Sequence, residues 1–176
     1  GVPIYATLLA LEIEGELAVG AVSAPALHRR WFSWAGGGAW AAETVPGGWD
    51  PTSARRIRVS AADSLATSSL VYSSLTDTIE SGMADGFVQL LGRAWRDRGL
   101  GDFYGYMLVA EGAAEAMIEP DLKIWDLAGP LAVAREAGAR VTDLFGGDEM
   151  PERGVVASNG HIHDLVLEGL RGTAGR

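Results

Sequence analysis

Ile118-Glu119-Pro120-Asp121-Leu122-Lys123-Ile124-Trp125-Asp126-Leu127-Ala128-Gly129-Pro130 is the stretch whose reading decides the rest of the chain. An apolar run ends in a carboxylate, a short loop follows, and Trp-Asp opens a new apolar-periodic segment from Leu127 to Ala137. Strand, loop and helix in that order form one unit of a layered α/β fold. The unit holds two acids at its edges. Asp126 falls at or beside a helix N-terminus, where an anionic side chain caps free N–H groups and suits the helix dipole. The same carboxylate, fixed at the rim of a strand-loop-helix unit, also suits a hard cation whose shell is completed by phosphate oxygens. Both readings stand at this point.

Alternating helix and strand continue on either side of this stretch. Upstream, Ser69 to Ser73 reads as a strand, and Ile79, Met83, Phe87, Leu90 and Leu91 recur at helical spacing. Ala94-Trp95-Arg96 is a short strand, Asp102 to Gly112 a helix with Asp102 at its N-cap, and Ala114 to Glu119 a strand. Downstream, the helix from Asp126 to Ala137 closes at Gly138. A strand over Arg140 to Leu144, a surface loop over Phe145 to Arg153, a strand over Gly154 to Ser158 and a helix over Ile162 to Leu170 complete the half. Three helices in it begin with Asp or Asn, at Asp102, Asp126 and Asn159-Gly160, and such N-termini make an anion site where they converge.

The first third has a different texture. Ile4 to Leu11 reads as a buried strand, and Leu17 to Ala24 returns from it after the Glu14-Gly15-Glu16 turn. Pro25 ends the second strand. Arg30 to Ala35 and Ala39-Trp40-Ala41 flank Gly36-Gly37-Gly38, a hairpin turn rather than a phosphate loop, since the Lys-Ser/Thr ending of a P-loop is absent. Thr44 to Ser53 is a loop, Arg56 to Val59 a short strand, and Ser60 to Leu65 a helical turn. The expectation is an α/β (α+β) layered sandwich, with an antiparallel sheet subdomain over 1–65 and an α/β subdomain over 66–176.

Composition bounds the function. The chain has 176 residues, 48% hydrophobic and 21% charged, with a formal net charge of −9. That is ordinary globular composition, and the acidic balance argues against nucleic acid or an anionic membrane surface as partner. An acidic protein that handles phosphates needs cations to neutralise its site. Cys 0 excludes disulfides, a thiolate nucleophile and zinc-thiolate ligation, and fits a cytoplasmic setting. His161 and His163 have the wrong spacing for a zinc pair on one helical face. No serine sits in a nucleophile-elbow pattern. The chain opens on Gly1-Val2-Pro3 with no initiator Met, and a chain that begins inside its core reads as a fragment or processed piece.

Ile124-Trp125-Asp126-Leu127-Ala128-Gly129, followed by Arg135-Glu136-Ala137-Gly138-Ala139, resembles the Trp-Asp signature of the inositol monophosphatase family of magnesium-dependent phosphomonoesterases. Within it, Gly1 to Leu11, Val22 to Leu27, Arg29-Arg30-Trp31 and Gly101-Asp102-Phe103 look like the actinobacterial histidinol-phosphate phosphatases, collinearly to the last helix. The resemblance implies a Mg²⁺ ligand at Asp126 and substrate-facing acids at Asp102 and Glu119. These two suit a substrate that carries an ammonium group and an imidazole. It further implies hydrolysis by metal-activated water, a small phosphate-ester substrate and a homodimer. Inositol or another sugar phosphate is the alternative substrate. The family's Glu-Glu and Asp-Pro-Ile-Asp-Gly-Thr motifs, which supply most metal ligands, are absent and expected before Gly1, along with helices that cover the first sheet. No catalytic residue is therefore assigned within the chain, and an inactive, non-catalytic piece that retains fold and dimer surface is the competing expectation.

Overall fold

The computed structural model describes residues 1–46, 48–148, 150 and 153–172. Its first sheet is an antiparallel meander of β1 (Thr7–Ile13), β2 (Glu16–Ala24), β3 (Arg29–Trp34), β4 (Gly38–Val45) and the two-residue β5 (Gly48–Trp49), with β6 (Arg55–Ile57) also paired to β4. The β1–β2 and β3–β4 hairpins turn where glycine was expected to turn them, whereas β2 passes to β3 through a short 3-10 turn at Pro25–Leu27. β5 lies inside the segment read as a loop. It pairs Thr44 with Trp49 and Val45 with Gly48, too short a ladder to leave a periodic signal.

The register sorts this sheet into two faces. Leu8, Val22, Trp31 and Ala41 line up across four strands on one face, and all but Leu8 are buried. Leu9, Ala21, Phe32 and Trp40 line up on the other, beside the row Leu11, Val19 and Trp34. That second face is also apolar, yet Leu9 is 64% and Leu11 50% exposed, so the run Ile4 to Leu11 becomes strand only from Thr7, and there it is an edge strand open on one face rather than a buried one. Trp34 and Trp40 stack on it with their ring planes 4° apart.

The second sheet runs β10-β11-β9-β7-β8, from β7 (Ser69–Tyr72), β8 (Arg96–Gly99), β9 (Ala116–Glu119), β10 (Arg140–Thr142) and β11 (Val155–Ser158). β7 pairs in parallel with both β8 and β9, while β11 joins β9 and β10 antiparallel. The amphipathic helix expected around residues 79–91 is two helices, α1 (Leu75–Glu80) and α2 (Ala84–Arg93). Gly82, at φ 80°, takes the left-handed turn between them, which a side chain would resist. α3 (Phe103–Ala110), α4 (Ile124–Glu136) and α5 (His163–Arg171) fall where periodicity put them, with shifted ends.

α4 is the middle layer that joins the sheets. Leu127, Leu131 and Val133 pack in one core cluster with Val22 and Trp31 of the first sheet and Met117 and Val155 of the second. Gly20 and Gly129 permit a close seat: a Cβ on Gly20 would lie 2.6 Å from Ala132 Cβ, and one on Gly129 2.8 Å from Leu9 O. α3 is fastened at its other end by Glu111, whose Oε1 accepts from Arg29 Nη2 at 2.6 Å and from Trp31 Nε1 at 2.5 Å, with Arg55 paired to Oε2. Both helices are thereby fixed against the first sheet, and their N-terminal ends with them.

The start of α5 serves structure. Asn159 Oδ1 accepts from the His161 and Ile162 amides, while its Nδ2 donates to Ser60 Oγ and Ala62 O. His163 is wholly buried between Thr142 Oγ1 (3.0 Å) and Ser158 Oγ (2.8 Å). Burial, assisted by Arg140, pulls its imidazole down to about 4, so it stays neutral in the folded chain. A depressed folded value means that this stability is complete above the unfolded value of 6.5 and is lost as pH falls toward 4.

Candidate active site

Asp102, Glu119 and Asp126 line one cavity of about 460 Å³. They arrive from three directions: Asp102 immediately before α3, Glu119 as the last residue of β9, and Asp126 in the first turn of α4. Ile4, Tyr5, Ala6 and Leu8 form the wall supplied by the first sheet's leading segment, with Phe103 and Leu122 beside the acids. Asp121, which sequence reasoning passed over as a loop residue, lines the cavity as well. The third helix start does not join them: Asn159 is absent from the lining and spends its side chain on α5 and the 60–62 loop.

Neither Asp102 nor Asp126 is used as a cap. α4 opens at Ile124 after Lys123, so Asp126 is the third residue of its first turn, and Lys123 makes no side-chain cap bond. The helix thus begins before the position at which the apolar period suggested Asp126 as its cap. Asp102 does hold the N-cap position of α3, but its side chain makes no cap hydrogen bond. Its backbone sits at φ 58°, ψ −146°, a region that glycine alone enters at low cost. The strain holds an exposed carboxylate at the cavity.

Glu119 is the buried member of the group, 6% exposed. Tyr106 Oη donates to its Oε2 at 2.7 Å. Burial pushes the Glu119 carboxyl up to about 7; the Tyr106 hydroxyl opposes the rise, and the charges of Asp102 and then Asp126 add to it. Ser73 Oγ has no geometrically acceptable hydrogen-bond partner, yet lies close enough to Glu119 to favour its charged form. The cavity therefore concentrates negative charge, with no cationic side chain among its described lining residues. It is built to be completed by a positive group.

A profile of the inositol monophosphatase family matches residues 1–173. The chain belongs to that family. The histidinol-phosphatase of Streptomyces coelicolor is 42% identical over 171 residues, covering 95% of this chain and 62% of its own length. That of Mycobacterium tuberculosis is 43% identical over 170 residues, covering 97% of this chain and 63% of its own. The solved IMPase of Thermotoga maritima superposes with a TM-score of 0.80 at 28% identity, covering 97% of this chain and 62% of that one. The chain thus spans about three fifths of the length of the relatives it matches. The resemblance carried by Trp125-Asp126 and by Gly101-Asp102-Phe103 extends through the whole family match, and the mixed α/β fold is the family's fold.

Among the described residues no group of three or more His, Cys, Asp or Glu side chains could hold a metal ion. The acids surround the cavity without closing on a shared point. Asp126, like Asp102 and Asp121, is exposed and has the hard oxygen chemistry of such an ion, but the described acids alone do not make a complete ligand set.

Proposed function

We propose that the cavity is the substrate end of a phosphomonoesterase site that acts on histidinol phosphate, with Asp102 and Glu119 facing the organic part and Asp126 contributing one oxygen to Mg²⁺. The observation that carries this reading is the meeting of four carboxylates, one of them buried, in a cavity with no cationic side chain among its described lining residues. A neutral polyol would leave that charge uncompensated, whereas an amino alcohol brings an ammonium group to it. Tyr5 and Phe103 supply an apolar wall for a ring. Phe103 and Asp126, from the first turns of α3 and α4, line the same cavity, and helix starts without a side-chain cap suit a phosphate. The identity of 42–43% to proteins named histidinol-phosphatase supports the same choice over inositol phosphate.

On this reading the chain's own residues bind and orient the alcohol side of the ester, and the ammonium group draws Glu119 into its ionised form. The proposal extends to a role in histidine biosynthesis, a cytoplasmic setting and a homodimer. No helix among the described residues is long and apolar enough to cross a membrane, which accords with that setting.

Calorimetric titration of the 176-residue chain near neutral pH tests the substrate choice. L-Histidinol should bind at least about tenfold more tightly than myo-inositol, the margin of one charge-assisted hydrogen bond. Equal affinities, or a preference for inositol, would exclude the assignment. A Mg²⁺ titration checks the metal ligand: weak binding by the chain should disappear in Asp126→Asn, and binding that survives the substitution removes Asp126 from that role. Phosphate release from histidinol phosphate in Mg²⁺, compared with a full-length relative, then separates an active chain from a non-catalytic one.

A further inference from the structure

The buried side of Glu119 carries a second residue of the site. Tyr106 is 1% exposed and packs in the core cluster that joins the two sheets, yet its hydroxyl reaches up to Glu119 Oε2 at 2.7 Å. It lies in the first half of α3, four residues after Asp102, the residue that precedes the helix. The segment from Asp102 through α3 therefore sets one acid at the cavity and offers a buried donor to a second. Burial first, and then the charges of Glu119 and Asp102, hold the Tyr106 phenol well above its ordinary value. It keeps its proton throughout the working pH range, so toward the ionised carboxylate tyrosine donates and Glu119 accepts.

We propose that Tyr106 is a positioning residue of this site, which ties one oxygen of Glu119 from inside the core and thereby sets the carboxylate in the orientation that meets a cationic alcohol. The inference rests on the reading of the cavity given above. A carboxylate at a strand end, with rotatable bonds and no other side-chain hydrogen bond of good geometry, is held in one pose by this donor. The donor also favours the ionised form against the burial that raises Glu119, and against Asp102 before α3 and Asp126 on α4, which repel it. Loss of the hydroxyl thus removes both the orientation and part of the charge that the ligand needs.

Tyr106→Phe keeps the ring in the core and deletes the donor alone. Two measurements on the full chain follow it: the Glu119 titration by carboxylate ¹³C NMR, and L-histidinol binding as a function of pH. The variant is expected to titrate Glu119 at higher pH than the native chain, to bind L-histidinol about tenfold or more weakly at neutral pH, and to recover part of that loss as pH rises. A folded variant with an unmoved Glu119 midpoint and native binding overturns the proposal and leaves Tyr106 as core packing only. If the native chain ignores L-histidinol while the midpoint still moves, the substrate reading fails and the control of Glu119 by Tyr106 stands. Should Tyr106→Phe not fold, 3-fluorotyrosine retains the ring and strengthens the donor. A Glu119 midpoint that falls supports the proposal, and one that stays overturns it.

Discussion

Gly129→Val is expected to cost at least about 3 kcal/mol of stability and to lower the thermal midpoint by roughly 6–12 °C. The argument is one of space. Gly129 faces the backbone of the first sheet, and its added Cβ would stand 2.8 Å from Leu9 O, 3.3 Å from Leu9 N and 3.4 Å from Ala21 O. Those are main-chain atoms of a paired hairpin, which cannot step aside as a flexible side chain does. Gly20 answers from below, with its own added Cβ 2.7 Å from Gly129 O. Valine brings two further methyl groups, so either α4 lifts or β1 peels from β2. Lifting α4 also displaces Asp126, and the variant should lose Mg²⁺ and L-histidinol binding more than its stability alone accounts for. Arg135→Val, on the exposed side of the same helix, is the control and should stay within about 0.5 kcal/mol of the native chain. Equal melting of the two variants would show that α4 does not seat on the glycine pair.

Glu119→Gln should divide stability from recognition. The raised carboxyl gives stability that is complete below the unfolded value of 4.5 and is lost as pH climbs through about 7. Above that range the folded chain carries a buried charge at a cost of up to about 3 kcal/mol, by the usual conversion of 1.36 kcal/mol per pH unit. Glutamine removes that cost while still accepting from Tyr106, so the variant should be more stable than the native chain near pH 8 by up to about 3 kcal/mol. L-Histidinol binding should fall by about two orders of magnitude, since an amide offers no countercharge. The pH profile provides a second check. His163 loses stability in the opposite direction, as pH falls from 6.5 toward 4, so in the native chain the two groups offset each other over much of the same window. Removing Glu119's share should unmask a steeper acid loss. Denaturant midpoints at several pH values measure it, and parallel curves for the two proteins would sink the prediction.

Element order was legible in the sequence because turns and periods agreed. Glu14-Gly15-Glu16 and Gly36-Gly37-Gly38 announce hairpins through residues that tolerate positive φ, and the strands between them are long enough to show. α1 and α2 merged because their apolar residues keep a common period across Gly82, which marks a break only by its backbone. β1 was read as buried because both faces of the first sheet are apolar; composition cannot tell a covered row such as Val22 and Trp31 from the open one of Leu9 and Leu11. Within the cavity, Asp102, Glu119 and Asp126 stood at element edges and were legible through resemblance, Asp102 by Gly101-Asp102-Phe103 and the other two by the Trp-Asp stretch. Tyr106 was not, since α3 is apolar nearly all round and a tyrosine inside it reads as packing. Its spacing of four from Asp102 was the one signal on offer. Asp121 was hidden by its place in a loop where an exposed acid is commonplace.

The backbone of Asp102 turns the cavity into something that a stability selection can find unaided. Glycine at that position would enter the same φ, ψ region without the penalty of roughly 1–3 kcal/mol that a side chain incurs there, and would delete the carboxylate in the same step. A library of random variants ranked by heat tolerance alone, with no ligand supplied, should therefore enrich the replacement of this acid. Heat-selected lineages would drift toward a tougher and emptier pocket, and the positions they abandon would chart the recognition surface before any substrate has been tried.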